Sequence, residues 1–146
     1  MSDNKVADCL DDLVLKLQSI AEFQNSVEVV HTPDKILTRM SSVPGSWCGV
    51  LYEGSAASAE DGHAKQGNGT ILSVGLYPVI DANMIVASLN TERLVVELLH
   101  KMRATILGTV APTGHQWRFV MEAYADSNKG KVLWQQRWRT QAVYRC

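Results

Sequence analysis

Apolar residues recur at helical spacing in two long segments of the chain. In residues 3–23 the apolar positions are Val6, Leu10, Leu13, Leu17 and Ile20. In residues 90–107 they are Leu94, Val95, Leu98, Leu99, Met102 and Ile106, and a glycine follows. Steps of three and four place these side chains on one face of a helix, and glycine is typical of the position after a helix. The pattern therefore predicts two amphipathic helices.

Short segments rich in β-branched and aromatic residues predict strands between and after these helices. The strands are predicted at residues 27–31, 47–53, 70–80, 116–125 and 131–145, with a short helix at residues 33–38. Gly75 and Pro78 indicate that the third of these strands is bulged or lies at an edge. Because the strands come in hairpins rather than alternating with helices, the sequence predicts an α+β fold. It has a mainly antiparallel sheet with the two amphipathic helices packed on one face.

One low-complexity segment, residues 54–69, separates two of the predicted strands. Its sequence, GSAASAEDGHAKQGNG, is small, polar and rich in glycine, so it cannot bury enough apolar surface to order itself. Long hairpin tips in compact domains are usually functional or disordered. We therefore predict one domain, residues 1–146, with a long flexible loop at residues 54–69.

The composition argues against several classes of protein. The 146 residues carry 14 Lys and Arg against 15 Asp and Glu, a net charge of −1, whereas proteins that bind nucleic acid through charge carry a large basic excess. A hydrophobic content of 46% is too high for a disordered chain. The lack of any apolar run of about 18 residues predicts no membrane span. The polar, acidic start, MSDN, is unlike a secretory signal, so we expect the protein to stay in the cytoplasm where it is made.

The two halves of the chain differ in charge. Residues 1–73 contain 5 basic and 10 acidic residues, a net charge of −5, and residues 74–146 contain 9 basic and 5 acidic residues, a net charge of +4. If the halves form different faces, the protein has a charge dipole that favours head-to-tail association of identical copies. If the halves fold together, the charges intermix and no such dipole results.

No spacing typical of a catalytic or metal site is present in the sequence. The four histidines form no HExxH or HxH motif and no pair with cysteine at ligand spacing. There is no GxSxG motif, and the glycines of residues 67–69 precede a strand, so they offer no helix N-terminus for phosphate. Cys9, Cys48 and Cys146 have unrelated spacings, which predicts reduced thiols. The sequence thus predicts that the protein is not an enzyme and has no catalytic residue, metal or cofactor.

The polar face of the last predicted strand is a candidate binding surface. Arg137 and Arg139 lie on it, and Arg118 lies on the neighbouring strand. Arginines interleaved with Trp and Tyr can bind a nucleic acid backbone. The better interpretation is a solvated outer face of the sheet or a protein interface, in which arginine is common. The glutamines expected to be exposed beside them, and to suit a wet protein contact, are Gln135, Gln136 and Gln141.

The order of elements resembles that of a known protein family. The segment ELLHKMRATILG at residues 97–108 is followed by a proline-containing loop, a strand, an acidic hairpin turn and a last strand, rich in Trp and Arg, that ends in RTQAVY. This order, with the leading amphipathic helix and the long loop in the central hairpin, resembles the tail terminator (tail completion) proteins of long-tailed bacteriophages, including Mu-like and lambda-like viruses. The resemblance is a pattern of elements and includes no catalytic signature.

The resemblance implies a structural protein of the virion, made in the host cytoplasm. Such proteins form a hexameric ring, a homo-oligomer, that caps the growing tail tube and presents a surface to the head–tail connector. The expected partners are therefore further copies of the chain, the tail tube protein and the neck protein. The alternatives are a neck or head-completion protein of the same particle and a small nucleic-acid-binding α+β domain.

The resemblance also implies roles for charged residues. The long loop is expected to contact the tube or the adjacent subunit, through Glu60, Asp61, His63 and Lys65. The acidic first helix is expected to meet a basic surface of the next subunit; its acidic residues are Asp8, Asp11 and Asp12. That basic surface is formed by Arg118, Arg137 and Arg139. In the alternative arrangement these arginines line the lumen of the ring and contact passing DNA non-specifically.

Overall fold

A computed structural model describes residues 5–57, 73–87, 91–128 and 130–145. Within these residues the helices are α1 (Lys5–Gln18), α2 (Pro33–Ser42) and α3 (Thr91–Ile106). The strands are β1 (Val27–Val30), β2 (Trp47–Ala57), β3 (Ser73–Ala87), β4 (Arg118–Asn128), β5 (Lys131–Arg139) and β6 (Ala142–Arg145). They form one sheet in the order β1-β2-β3-β5-β4, and β6 pairs with the first residues of β3.

The neighbouring strands are antiparallel except for β1 and β2, which run parallel in the described part of the sheet. β1 and β2 are parallel because α2 carries the chain back between them, as parallel strands require. Pro33 begins α2, where its missing N–H costs no helical hydrogen bond. The predicted α+β fold with a mainly antiparallel sheet is confirmed.

The two long helices, α1 and α3, pack on one face of the sheet, which we call the inner face. Their buried apolar side chains are Cys9, Leu13, Leu17, Val95, Leu98, Leu99, Met102 and Ile106. The strands contribute Cys48, Val50, Ile80, Ala82, Met84, Val86 and Trp138 to the same core. Each large apolar side chain buried in this way contributes about 1.5–3 kcal/mol. The prediction of two amphipathic helices on one face is confirmed.

Gln136 is buried in this core, so its interpretation as an exposed glutamine is wrong. Alternation along β5 turns it to the inner face, where Nε2 donates to the carbonyl oxygen of Leu99 at 3.1 Å and to Glu122 at 3.0 Å. Its Oε1 accepts a hydrogen bond from Trp138 Nε1 at 3.0 Å. Glu122 also pairs with Arg103 of α3. This network satisfies polar groups that would otherwise be costly to bury.

The short helix α2 packs on the opposite, outer face of the sheet and covers only part of it. We call the covered part of this face the covered half. Its apolar residues lie beneath α2 or on α2 itself: Val30, Ile36, Met40, Trp47, Leu51, Ile85 and Leu133. The Trp47 indole lies across Gly49, where a Cβ would clash with the ring. Only glycine therefore allows this close approach of the ring to the backbone.

β2 is longer than predicted, because a bulge carries it past Glu53. The register against β3 shifts between Tyr52 and Gly54, and Gly54 has a φ of 130°, which favours glycine. The strand then continues to Ala57, so the prediction of a loop is wrong for residues 54–57. The remainder of that predicted loop lies outside the described residues, as do the candidate contact residues Glu60, Asp61, His63 and Lys65.

β3 lies in the middle of the sheet, not at an edge as Pro78 suggested, and it continues beyond Ile80 to Ala87. Pro78 is tolerated because it lies beside the junction of β5 and β6. There its carbonyl oxygen accepts a hydrogen bond from the backbone N–H of Thr140 at 3.3 Å. The same junction divides the single last strand that was predicted. The predicted bulge does occur in this hairpin, but on the β2 side.

Candidate functional site

The candidate site is the part of the outer face that α2 leaves uncovered, which we call the open half. Alternation along the strands brings mostly polar side chains to it: Glu53, Tyr77, Asp81, Arg118, Gln135, Arg137 and Arg139. The three arginines singled out in the sequence thus come together on one face of the sheet. Glu53, Asp81 and Tyr77 were not singled out in the sequence.

Asp81 is the centre of the open half and is fully buried. It lies directly opposite Arg137, whose Nε and Nη2 donate to its two oxygens at 2.9 and 3.3 Å. Gln135 Nε2 donates to the same carboxylate at 2.6 Å. The hydrogen bond to Asp81 raises the pKa of Arg137 further above its ordinary value. Arg137 is therefore committed to holding Asp81, which a buried carboxylate requires.

Glu53 lies beside this ion pair because the β2 bulge adds one residue to the strand at that point. Its hydrogen bond with Asp81 raises its pKa to about 7, and partial desolvation and the Asp81 charge act in the same direction. Arg137 opposes the shift. Two neighbouring carboxyl groups favour sharing one proton, so Glu53 changes charge near neutral pH. Glu53 and Asp81 can therefore share a proton. Among the described residues, no nucleophilic side chain forms a hydrogen bond with either of them.

Arg118 and Arg139 form a second feature of the open half. They lie directly opposite each other on β4 and β5, an arrangement in which like charges repel. The Arg139 guanidinium lies 5.2 Å from the centre of the Tyr77 ring, a cation–π contact. Neither arginine forms an ion pair within the described part of the chain. A cleft beside them is lined by Tyr77, Gly114, His115, Gln116, Arg118, Thr140 and Gln141.

The acidic residues of α1 lie on the opposite side of the sheet from these arginines. Asp12 accepts hydrogen bonds from Lys16 at 2.6 Å and from Trp117 Nε1 at 2.9 Å, so it holds the helix against the C-terminal half of the chain. Asp11 is exposed and Asp8 is half-buried. Neither forms an ion pair with a described residue. The structure thus separates Asp12, which has an internal role, from Asp8 and Asp11.

We also searched the described residues for a metal site, a reactive thiol and a membrane-spanning helix. They include no group of three or more His, Cys, Asp or Glu side chains placed to hold a metal ion. Cys9 and Cys48 are buried free thiols; burial raises the pKa of Cys9 to about 11 and that of Cys48 further. A raised pKa keeps a thiol protonated and unreactive. No helix in the described part of the chain is long and apolar enough to cross a membrane.

Comparison with known proteins gives a likeness in structure rather than in sequence. No family model and no curated protein sequence matches the chain. Among solved structures, the chain is similar to one described as "Virion of native gene transfer agent (GTA) particle", with a TM-score of 0.65 and 8% sequence identity. The likeness covers 98% of this chain and 100% of that chain. At this identity it shows a shared fold over the full length of both chains.

The open half combines residues that a sequence pattern can find with residues that it cannot. Alternating Arg and Trp along the last strand signalled the arginines. Asp81 gave no signal, because an acidic residue in a strand usually indicates a strand end. Glu53 joins the site only through the bulge at Gly54, which was interpreted as the start of a loop. The signal that could have found it is the continued β2–β3 pairing beyond that glycine.

Proposed function

We propose that this protein is a structural protein of a phage-like virion, made in the host cytoplasm. The observation that carries the proposal is the end-to-end likeness to a chain of a GTA virion, at a TM-score of 0.65. Because the likeness leaves no large part of either chain unmatched, it supports a common role rather than one shared module. A low sequence identity is expected where selection acts on shape and surfaces rather than on catalytic residues.

Within the virion, we propose the role of a tail terminator. In this role, copies of the chain form a ring, expected to contain six, that ends the tail tube and joins it to the head–tail connector. The order of elements supports this role. So do two pairs of charged residues that form no ion pair with a described residue, one on α1 and one on the open half, because a protein that contacts copies of itself, the tube protein and the neck protein needs more than one interface.

The test is the length of tails made without this protein. We expect lysates of the parent particle with the gene deleted to contain overlong, variable tubes without heads in electron micrographs, and a plasmid copy of the gene to restore normal length. Tails of normal length beside unattached heads would instead assign the protein to the neck or to head completion. Normal particles would contradict a role in the virion.

A second candidate role for the open half is contact with DNA in the lumen of the ring. Arg118 and Arg139 have no carboxylate partner among the described residues, which favours this role, since phosphates could supply the missing charge. Binding of this kind falls steeply as salt rises. Titration of a DNA duplex at low and near-physiological salt therefore tests it, and an absence of salt-sensitive binding would exclude it.

A further inference from the structure

We infer that the arginine pair of the open half, Arg118 and Arg139, binds the carboxylates of Asp8 and Asp11 on α1 of a second copy of this chain. This inference rests on the proposed function, because it names the contact that would join one subunit of the ring to the next. It selects two of the three candidate arginines and two of the three candidate aspartates, and the selection follows from the contacts within one copy.

The internal contacts remove Arg137 and Asp12 from the candidate interface. Arg137 donates two hydrogen bonds to the buried Asp81, and releasing it would leave that carboxylate without its countercharge. Asp12 accepts from both Lys16 and Trp117. Side chains held in this way cannot turn to a partner without breaking the fold of their own copy.

The arginine pair, in contrast, lacks an acidic partner among the described residues. The two guanidinium groups lie on the same face of the sheet, at directly opposite positions of β4 and β5, and repel each other. A partner carrying two carboxylates would convert this repulsion into attraction and could bind each guanidinium through two hydrogen bonds. Tyr77 beneath Arg139 holds that guanidinium in place, so less side-chain freedom is lost when a partner binds.

The spacing on α1 suits such a pair. Asp8 and Asp11 are three residues apart, so they lie on the same side of the helix, about one turn apart along its axis. The nearest basic side chains of α1 have other partners: Lys16 binds Asp12, and Lys5 donates to the carbonyl oxygen of Val143 at 2.8 Å. The helix therefore presents two carboxylates that form no ion pair with a described residue.

The two surfaces lie in opposite layers of the molecule, and this decides the kind of assembly. Because α1 packs on the inner face and the arginines lie on the outer face, the α1 carboxylates of a copy cannot reach the arginine pair of the same copy. The contact is therefore heterologous, with each copy using one surface towards the preceding copy and the other towards the next. Heterologous contacts close into rings when the rotation between copies permits.

The test is a charge exchange between two variants of the full chain. In the first variant, Arg118→Glu and Arg139→Glu reverse the basic surface; in the second, Asp8→Lys and Asp11→Lys reverse the acidic one. Association is measured by sedimentation velocity over a range of concentration and salt. We expect the wild type to associate, and either variant alone to associate at least about tenfold more weakly, since like charges then meet at every contact.

An equimolar mixture of the two variants should recover the association of the wild type. In the mixture, each reversed surface can meet a reversed surface of the other variant, and each native surface can meet a native one. A ring of alternating copies then has only attractive contacts, and six copies allow strict alternation. The matched control reverses two positive charges elsewhere, with Lys35→Glu and Arg93→Glu, and should associate like the wild type. Circular dichroism checks that every variant is folded.

Several results would overturn the inference. They are a wild type that stays monomeric at the highest concentration, variants that associate like the wild type, and a mixture that does not recover. Loss of binding to a DNA duplex by the arginine variant, with self-association intact, would assign these arginines to nucleic acid instead. The tail-length experiment is independent of all of these results, so a failure of the subunit contact can be told apart from a failure of the proposed function.

Discussion

The covered half and the open half of the outer sheet face are built by the same strands, yet they differ in chemistry. Towards one end of β2, β3 and β5, the outward residues are apolar and meet α2, with Ile85 fully buried among them. Towards the other end no described helix lies over the strands, and the outward residues carry charge. The covered half stabilises the fold. The open half includes an arginine pair that forms no ion pair with a described residue, and we have proposed that a second copy of the chain supplies the partner.

Each half also holds one carboxylate in a cluster of donors. In the covered half, Glu28 accepts hydrogen bonds from Trp47 Nε1 at 3.1 Å and Arg39 at 3.2 Å, with Lys35 at 3.6 Å. Burial acts to raise the pKa of Glu28, but these donors outweigh it and the pKa is lowered. In the open half, Glu53 lies beside Asp81, and the pKa of Glu53 is raised instead of lowered. The comparison shows that the hydrogen-bonding and charged neighbours of a carboxyl group decide the direction of its pKa shift more than its burial does.

The largest expected difference between the halves concerns their aromatic residues. We expect Trp47→Ala, in the covered half, to lower the free energy of unfolding by about 3–5 kcal/mol, because it leaves a cavity under α2 and removes a donor from Glu28. The matched change in the open half, Tyr77→Ala, should cost about 1 kcal/mol, chiefly through the lost contact with Arg139. Urea unfolding of both variants measures the difference; equal losses would mean that the open half also stabilises the fold.

A smaller effect is expected from removing the charge at the centre of the open half. Asp81→Asn should lower the free energy of unfolding by about 2 kcal/mol, less than for a fully buried pair because the Arg137 side chain is 35% exposed and can be hydrated. Glu28→Gln is the matched change in the covered half and should cost less, about 1 kcal/mol, since Glu28 keeps 32% exposure. Urea unfolding compares the two, and a larger loss for Glu28→Gln would reverse the ranking of the clusters.

The smallest effect concerns pH and Glu53. Its pKa rises from an ordinary value of 4.5 to about 7 in the folded protein, so between these values the folded state binds more protons than the unfolded state. The contribution to stability is therefore present below pH 4.5 and is lost as the pH rises through 7. Because Glu53 is exposed to solvent, screening limits the contribution to under about 1 kcal/mol.

The Glu53→Gln variant isolates this contribution. Its glutamine cannot ionise, so the variant does not lose this contribution. We therefore expect the free energy of unfolding of the variant to rise relative to that of the wild type as the pH is raised from 4.5 to 8. Glu22 and Glu28, whose pKa values are lowered, lose their contributions as the pH falls, but both are present in the two proteins and cancel. Urea unfolding at the two pH values provides the measurement, and a constant difference would show that Glu53 and Asp81 do not share a proton.

The layers of the fold could be predicted from the sequence because each depends on a regular pattern. The stripes of α1 and α3 have helical spacing, and the turn between β4 and β5 contains Gly130 with a φ of 79°. The parallel pairing of β1 with β2 was not predicted, although the short helix predicted between them is the kind of crossover that parallel strands require. The length of β3 was missed because Asp81 and Asn83 interrupt its apolar pattern, and only their partners across the sheet make their burial acceptable.

The candidate site could be predicted only in part, for the same reason. Arg137 and Arg139 were found because their positions alternate along one strand, and Arg118 was found because it lies on the neighbouring strand. Which of them has an internal partner depends on pairing between distant strands, as with Arg137 and Asp81, which are 56 positions apart. The same holds for Asp12, which looked equivalent to its neighbours on α1 until its contact with Trp117 was known.

The hydrogen bond between Asp12 and Trp117 affects the order in which contacts can form while the chain is being synthesised. The two residues are 105 positions apart, so the ribosome completes most of the chain before the indole that holds α1 emerges. Closing so long a loop is also entropically costly, so we expect this hydrogen bond to form late in folding, whereas α1 can already pack on β1 and β2, which precede Trp117 in the chain. A chain truncated before Trp117 therefore lacks this hydrogen bond, and we expect its first helix to be held less firmly against the sheet.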